Sequence, residues 1–428
     1  MQAIISKLVL LYVASTARGL PNCAKCTKMI LTHCASCATD LPRLARQCSR
    51  CKTRYCGPAC QEQHWKQGGH DQLCKNIKKE GGAERYHADK KYKEAVAVAV
   101  KKCADDTKGQ KCYICLEAVH ARTGEGLVRG CACGDRDGVS SPELGVAHVL
   151  CLAEQAKILC DEAKENNLGD TAKHGRWGRW HTCGLCEQKF HGVVRCALGW
   201  ACWKTYLSRP EEDKIRSFAM TQLGNGLYAE HDYEDALSVQ EADLSMLRRL
   251  GSPEESLLIT QSNLASTYRA LGRLDEALCI REDVYSKRLK LDGEEHEKTL
   301  RAASNYAIHL IELTRFEEAK SLLRKKMPVA RRVLGESHDI TLRMRWNLAR
   351  SLYWDTSATL NDLREGATML EGSERTARRM YGVAHPNVAD FEKALRSSRA
   401  ALRAREASMP GNVSSIYDAV ESMTPGDA

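Results

Sequence analysis

The sequence predicts a mostly α chain in which two small cross-brace modules with little β structure precede an α-solenoid of helical-hairpin repeats. Three observations carry this. Of the 21 cysteines, 20 lie before residue 203 and only Cys279 lies beyond. In that first half, Cys and His fall into two series of eight at short, recurring spacings. Beyond Arg209 the apolar pattern becomes helical, with markers that return every 42 residues.

Charge divides the chain in the same way. The first 210 residues hold 33 basic and 20 acidic residues, the remainder 31 and 35. A length of 428 residues with 43% apolar content allows two or three domains with real cores and excludes a collagenous or wholly disordered chain. No stretch after residue 20 approaches the roughly 18 consecutive apolar residues of a membrane helix. Cys-x2-Cys pairs with His at set distances read as zinc in a reducing compartment, cytoplasm or nucleus, rather than as a secreted disulfide scaffold. The apolar segment 1–22, with Ala14-Ser-Thr-Ala17 behind it, has the outline of a signal peptide. Against that outline, Lys7 interrupts the apolar run, no basic side chain precedes it, and export would expose the thiols to oxidation. A buried N-terminal helix or an unreliable start codon is the preferred reading, with a signal left open; the sequon at Asn412 has meaning only if a signal is present.

The first series runs Cys34-x2-Cys37, Cys48-x2-Cys51, Cys56-x3-Cys60 and His70-x3-Cys74. Eight donors suit two four-coordinate zinc sites, and a segment so poor in large apolar residues needs metal in order to fold. His64 competes as a donor but leaves no His-x3-Cys step, which favours His70. Cys23-x2-Cys26 precedes the series without obvious partners. Residues 34–74, and Gln47-Cys-Ser-Arg-Cys-Lys-Thr-Arg-Tyr-Cys56 in particular, resemble the MYND zinc finger family. The resemblance implies interleaved sites, Cys34, Cys37, Cys56 and Cys60 on one ion and Cys48, Cys51, His70 and Cys74 on the other. It also implies docking of short proline-containing peptides by Ser49, Gln61 and Trp65. Gln61 and Trp65 stand i,i+4 on an expected helix and so share a face, although Trp65 could instead pack the small core.

Residues 75–110 read as a basic helical linker. The second series follows in 111–202: Cys112-x2-Cys115, Cys131-x-Cys133, His148-x2-Cys151 and Cys183-x2-Cys186. This order, with Lys111-Cys-Tyr-Ile-Cys-Leu-Glu117 at its start, resembles the RING-CH family of ubiquitin ligases. The resemblance implies Cys112, Cys115, His148 and Cys151 on one ion, and Cys131, Cys133, Cys183 and Cys186 on the other. About four zinc ions per chain are expected in all. It further implies docking of a ubiquitin-conjugating enzyme at Ile114, with Leu185 as a second contact. Three departures weigh against activity: 14 residues between Cys133 and His148, 31 between Cys151 and Cys183, and Glu187 where active ligases often carry a basic residue. A chromatin-reading PHD finger shares the donor order but has a wider middle pair. Trp177 and Trp180, flanked by Arg176 and Arg179, could stack on bases, though packing around a zinc core is the commoner role and nucleic acid is not an expected partner.

In residues 211–408, Asn263-Leu-Ala265, Asn305-Tyr-Ala307 and Asn347-Leu-Ala349 recur at 42 residues, as do Gly251, Gly293 and Gly335. A five-residue insertion precedes Gly382. The pattern resembles tetratricopeptide repeats of the kinesin light chain type, which implies protein or peptide partners. His296, His338 and His385 recur at turns and read as caps rather than metal ligands. Gly224-Asn-Gly226 matches part of a dinucleotide fingerprint by letter, but no strand is expected before it. The tail 409–428 is polar and expected to be disordered. No SET-like, protease, kinase or nucleotide-hydrolase motif is found. The expected function is a zinc-binding, multi-module recruiter of proteins, with ubiquitin ligation by the second module as an open activity. The alternatives are a purely non-catalytic adaptor and, below it, a chromatin reader.

Overall fold

The computed structural model describes residues 34–37, 39, 41, 45–131, 133, 145–383 and 385–408. The expectations for segment 1–22, Cys23, Cys26, Asn412 and the tail lie outside the described residues. Those described are mostly helical, with four strands of two residues each.

In the first module β1 (Arg46–Gln47) pairs antiparallel with β2 (Arg54–Tyr55), Arg46 opposite Tyr55. Helices α1 (Pro58–Lys66) and α2 (His70–Lys79) follow. Among the described residues, the module's buried apolar cluster is Cys34, Cys48, Cys51, Tyr55, Cys74, Ile77 and Ala83. In the second module β3 (Val128–Arg129) pairs antiparallel with β4 (Val146–Ala147), and α4 (Val149–Glu165) and α5 (Asp170–Trp177) complete the unit.

The segment expected as a linker is helical but not free. Its main helix, α3 (Ala83–Lys102), buries Ala88, Tyr92, Val96 and Ala99 and packs on α6 (Gly192–Tyr206). Eleven of the fifteen residues of α6 are buried. A single apolar core therefore runs from α3 through the second module and α6 into α7 (Lys214–Ala229) and α8 (Tyr233–Arg249). Trp203, Tyr206 and Leu207 belong to this core, so packing is continuous from the second module into the repeats. Glycine permits the closest part of this join. A Cβ on Gly199 would lie 3.0 Å from the Gln222 carbonyl oxygen, and one on Gly226 would lie 2.9 Å from that of Arg195. Gly226, part of the discounted nucleotide-like motif, is thus a crossing point of two helices.

The repeats continue as α9 (Glu254–Ala270), α10 (Leu274–Asp292), α11 (Glu297–Glu312), α12 (Phe316–Leu334), α13 (Asp339–Tyr353), α14 (Leu360–Tyr381) and α15 (Pro386–Ala407). Each packs on its neighbours in sequence. The odd-numbered helices also meet one another, α7 with α9, α11 with α13 and α13 with α15 by packing, and α9 with α11 through the Arg269–Glu312 ion pair at 2.7 Å, so they form the inner layer of the stack. Gly293, Gly335 and Gly382 end their helices at φ of +84 to +91°, where a side chain is disfavoured. Three residues later the recurring histidines cap the next helix. Nδ1 of His296, His338 and His385 accepts the N–H of Lys298, Ile340 and Asn387 at 3.1–3.2 Å. The inserted residues lengthen the α13–α14 turn and α14 itself, and the turn is closed by a Thr359–Asp362 capping box.

One buried carboxylate makes this scaffold sensitive to pH. Asp243 on α8 is 1% exposed and accepts hydrogen bonds from Ser217, Thr221 and Thr260, and no ion pair to it is found among the described residues. Burial pushes its pKa up from 3.8 to about 6, against the pull of the three hydroxyls. Because the folded value lies above the unfolded one, the contribution is fully present below pH 3.8 and is lost as pH rises through about 6. The expected cost at pH 8 is on the order of 2–3 kcal/mol. Asp243→Asn should therefore melt higher than the parent at pH 8, with the gap closing towards pH 5. Parallel melting curves with a constant gap over that range would refute the assignment.

Candidate metal centres

Four groups of donors converge, and the sequence-predicted donors fill all four. Cys34, Cys37, Cys56 and Cys60 form the first; Cys48, Cys51, His70 and Cys74 the second. Cys112, Cys115, His148 and Cys151 form the third; Cys131, Cys133, Cys183 and Cys186 the fourth. Within each, the donor atoms lie within 4.8 Å of one another. The spacings are those of a coordination tetrahedron, not of disulfides. Sulfur pairs stand at 3.5 Å (Cys37–Cys56), 3.8 Å (Cys48–Cys74) and 3.6 Å (Cys133–Cys183). Zinc–sulfur bonds of about 2.3 Å give tetrahedron edges of about 3.8 Å, whereas a disulfide needs about 2.05 Å. His70 points Nε2 at Cys51, 3.3 Å away, and His148 points Nδ1 at Cys115, 3.4 Å away. His64 is not in the second group; its Nδ1 meets the Tyr55 hydroxyl at 3.0 Å.

The thiols also show why a cation suits these sites. In the fourth group Cys133, then Cys183, push the Cys131 pKa well up, while hydrogen bonds from Cys131 and Cys133 draw that of Cys183 well down. Four sulfurs this close cannot all ionise unaided. A divalent ion lets each be a thiolate, and sets of four Cys or three Cys with one His are those zinc prefers.

Local backbone geometry builds three of the Cys-x2-Cys turns identically. The residue after each second cysteine, Lys52, Leu116 or Glu187, is left-handed at φ of 59–64°. Its N–H closes on the carbonyl of the first cysteine, for Cys48, Cys112 and Cys183 alike. In the second module the amides of Ile114 and Leu185 reach the sulfurs of Cys112 and Cys183 at 3.4 Å. Such bonds favour the thiolate.

The spacing argument misses Gly145. At φ +84° it lies against the fourth group, and a Cβ there would stand 2.7 Å from Cys133 Cβ and 2.8 Å from Cys131 Sγ. A glycine just before a short strand leading to a histidine donor was its only sequence signal.

The recognition residues stand as follows. Trp65 is 38% exposed, lies outside the module's core and sets its ring edge-on to His70 at 5.7 Å. Gln61 is half-buried and accepts a bond from Arg46 Nε at 2.7 Å; Ser49 is exposed. Helix α1 has no buried residue at all, so Cys60 in the first donor group is its main anchor. Ile114 is half-buried against the second module's core and Leu185 is 48% exposed. The base-stacking option for the tryptophans fails. Trp177 and Trp180 are buried against Tyr206, with ring centroids 5.6 and 5.7 Å from it, and offer no face to a base.

Tetratricopeptide repeat is the family whose model matches residues 216–290, the span of α7 to α10. The chain is similar in structure to BtubC (BKLC) from P. vanneervenii, at 18% identity over 55% of this chain and 94% of that one, with a TM-score of 0.39. It is also similar to two solved forms of a Podosopora anserina putative kinesin light chain with nearly identical TPR-like repeats. These are 18% identical, cover 54% of this chain and 97% of theirs, and have TM-scores of 0.36 and 0.35. No curated protein matches the chain. The matched residues form tetratricopeptide-type hairpins, and the helical hairpins from α11 to α15 continue the same stack. Among the described residues no helix is long and apolar enough to cross a membrane.

Proposed function

We propose that the chain is a zinc-dependent recruiter of proteins, with a MYND-type finger at 34–74, a RING-CH-type module at 111–202 and a repeat solenoid at 211–408. The carrying observation is the interleaving of the four donor groups, in which the pair Cys48–Cys51 lies in sequence between the pairs of the first group and Cys131–Cys133 between those of the third. Zinc, about four ions per chain, is the metal that fits. Thiols held without a disulfide among the described cysteines suit a reducing compartment, cytoplasm or nucleus.

In the first module, exposed Trp65 beside the Gln61 amide suits an extended, proline-containing peptide. Trp65→Ala should weaken capture of such peptides at least tenfold, with zinc content unchanged and melting within a degree or two. Undiminished binding by the zinc-loaded variant would remove the groove from the proposal.

A second reading, ubiquitin ligation, is favoured by Leu185 and Ile114 on the two knuckles of the second module, one exposed and one half-exposed. Such a ligase needs no protein nucleophile. It docks the charged conjugating enzyme and orders its thioester, so catalysis is positioning. The test is autoubiquitination by the zinc-loaded full chain across a panel of conjugating enzymes, with Ile114→Ala as control and Glu187→Arg as a gain-of-function variant. Chains that vanish in the control support ligation; a loaded but inert protein leaves the scaffold reading alone.

A further inference from the structure

Gln188 is buried although it lies two residues beyond the last donor, on a knuckle whose neighbours Leu185 and Glu187 face solvent. Its backbone and side chain serve different parts of the molecule. The backbone carbonyl accepts the N–H of Cys183 at 2.8 Å, which closes the knuckle of the fourth donor group. The side-chain Nε2 reaches 192 residues along the chain and donates to the carbonyls of Met380 (3.1 Å) and Tyr381 (3.3 Å). These are end-of-helix carbonyls of α14, which lack partners within the helix. Three residues on, the His191 ring meets that of His385 edge-on at 5.6 Å, and His385 stacks on Tyr381 at 4.9 Å. Tyr381 in turn donates its hydroxyl to Asp339 at 3.2 Å. Lys189 stands among the charges of Arg301 on α11 and of Asp339 and Arg343 on α13.

The same segment is fixed firmly on the module side. Besides the knuckle bond, the N–H of His191 donates to the Gly130 carbonyl at 3.1 Å, next to Cys131, and Lys189 forms a bridge with Thr182. Residues 188–191 thus join the fourth centre to the α14–α15 turn. The repeats between α6 and α14 form an arc of chain whose two ends are tied by this contact, with Lys189 beside charges of α11 and α13.

We propose that the knuckle of the fourth centre is a latch that holds the solenoid closed, so that metal at Cys131, Cys133, Cys183 and Cys186 governs access of a protein partner to the inner layer of the repeats. This rests on the zinc reading above. Zinc orders the knuckle, the knuckle orients Gln188, and Gln188 caps α14. Loss of the metal, or of the Gln188 side chain alone, releases the turn and lets the arc open.

The test uses the full chain, with metal content, amide hydrogen exchange and small-angle scattering read together. Gln188→Ala leaves all sixteen donors in place. It should retain the parent's ion count, exchange amides 381–391 about tenfold faster, and show a larger radius of gyration. The double variant Cys131→Ser, Cys133→Ser should lose one ion and show the same change at 381–391, with residues 45–79 unaffected. Unchanged exchange at 381–391 in fully loaded Gln188→Ala would overturn the latch. A double variant that loses its ion but keeps the turn protected would overturn metal control. A double variant that loses no ion would instead bring down the zinc reading on which that control depends.

Discussion

Stripping metal from the chain with a strong chelator will unfold the first module and leave the repeat helices standing. The reason is the size of the core. Four of the seven buried residues that hold the first module together are themselves donors, Cys34, Cys48, Cys51 and Cys74, and α1 buries nothing. Without an ion these thiols lose their reason to converge, and Tyr55, Ile77 and Ala83 cannot offset the chain entropy of some forty residues. Structural zinc contributes on the order of 10–16 kcal/mol in small fingers, far more than that remnant core can. The repeats differ in kind. Leu300, Leu310, Leu323, Ile340, Met344 and Leu348 form an apolar core with no donor among them. Hydrogen exchange should therefore show residues 45–79 becoming unprotected as the ions leave, while α10 to α13 stay protected. Retained protection in 45–79 at zero metal content would sink the claim that metal folds this module. The second module should fall between these extremes, because its donors share one core with α3, α6 and α7.

Replacing Gly145 by valine will cost the protein one metal ion. Two effects add at this position. A β-branched residue is strained at φ +84°, and its Cβ would stand within 2.8 Å of Cys131 Sγ and 2.7 Å of Cys133 Cβ. Strain alone costs about 1–3 kcal/mol. The steric conflict falls on the two atoms least able to yield, since Cys131 and Cys133 must keep their places around the fourth centre. The expected result is about three ions per chain instead of about four, and a lower melting temperature for the second module, with the first module unaffected. Gly145→Ala should give a milder form of the same defect. Four ions and parental melting in the valine variant would show that the Cys-x-Cys pair has more freedom than the geometry allows it.

The donors and the repeats were legible in the sequence for the same reason: both are local. A Cys-x2-Cys turn is closed by bonds within six residues, from Cys48 N to the Thr53 carbonyl for example, so spacing alone marks it. The 42-residue markers record one hairpin at a time, and Gly293 with His296, or Gly335 with His338, do their work inside a single turn. Less visible was the role of residues 75–110. Their basic composition reads as a helical linker, yet α3 presents one apolar line, Ala88, Tyr92, Val96 and Ala99, whose main packing partner is α6, about a hundred residues later. Trp177 and Trp180 beside arginines likewise suit either a nucleic-acid face or a core, and only their contacts with Tyr206 decide for the core.

The sequence by itself therefore determined the mostly α class, the sixteen Cys and His positions that converge in four groups, and the period and caps of the solenoid. Each of these is written in residue type and short spacing, where the physics involves a few neighbouring amides or one helix face. Only the tertiary structure decided that Gly145 must have no side chain, that α6 and α7 fuse module to repeats, and that Gln188 meets α14 across 192 residues. These depend on which surfaces come together when the whole chain packs. A contact of that kind leaves no periodic trace in the residues that make it.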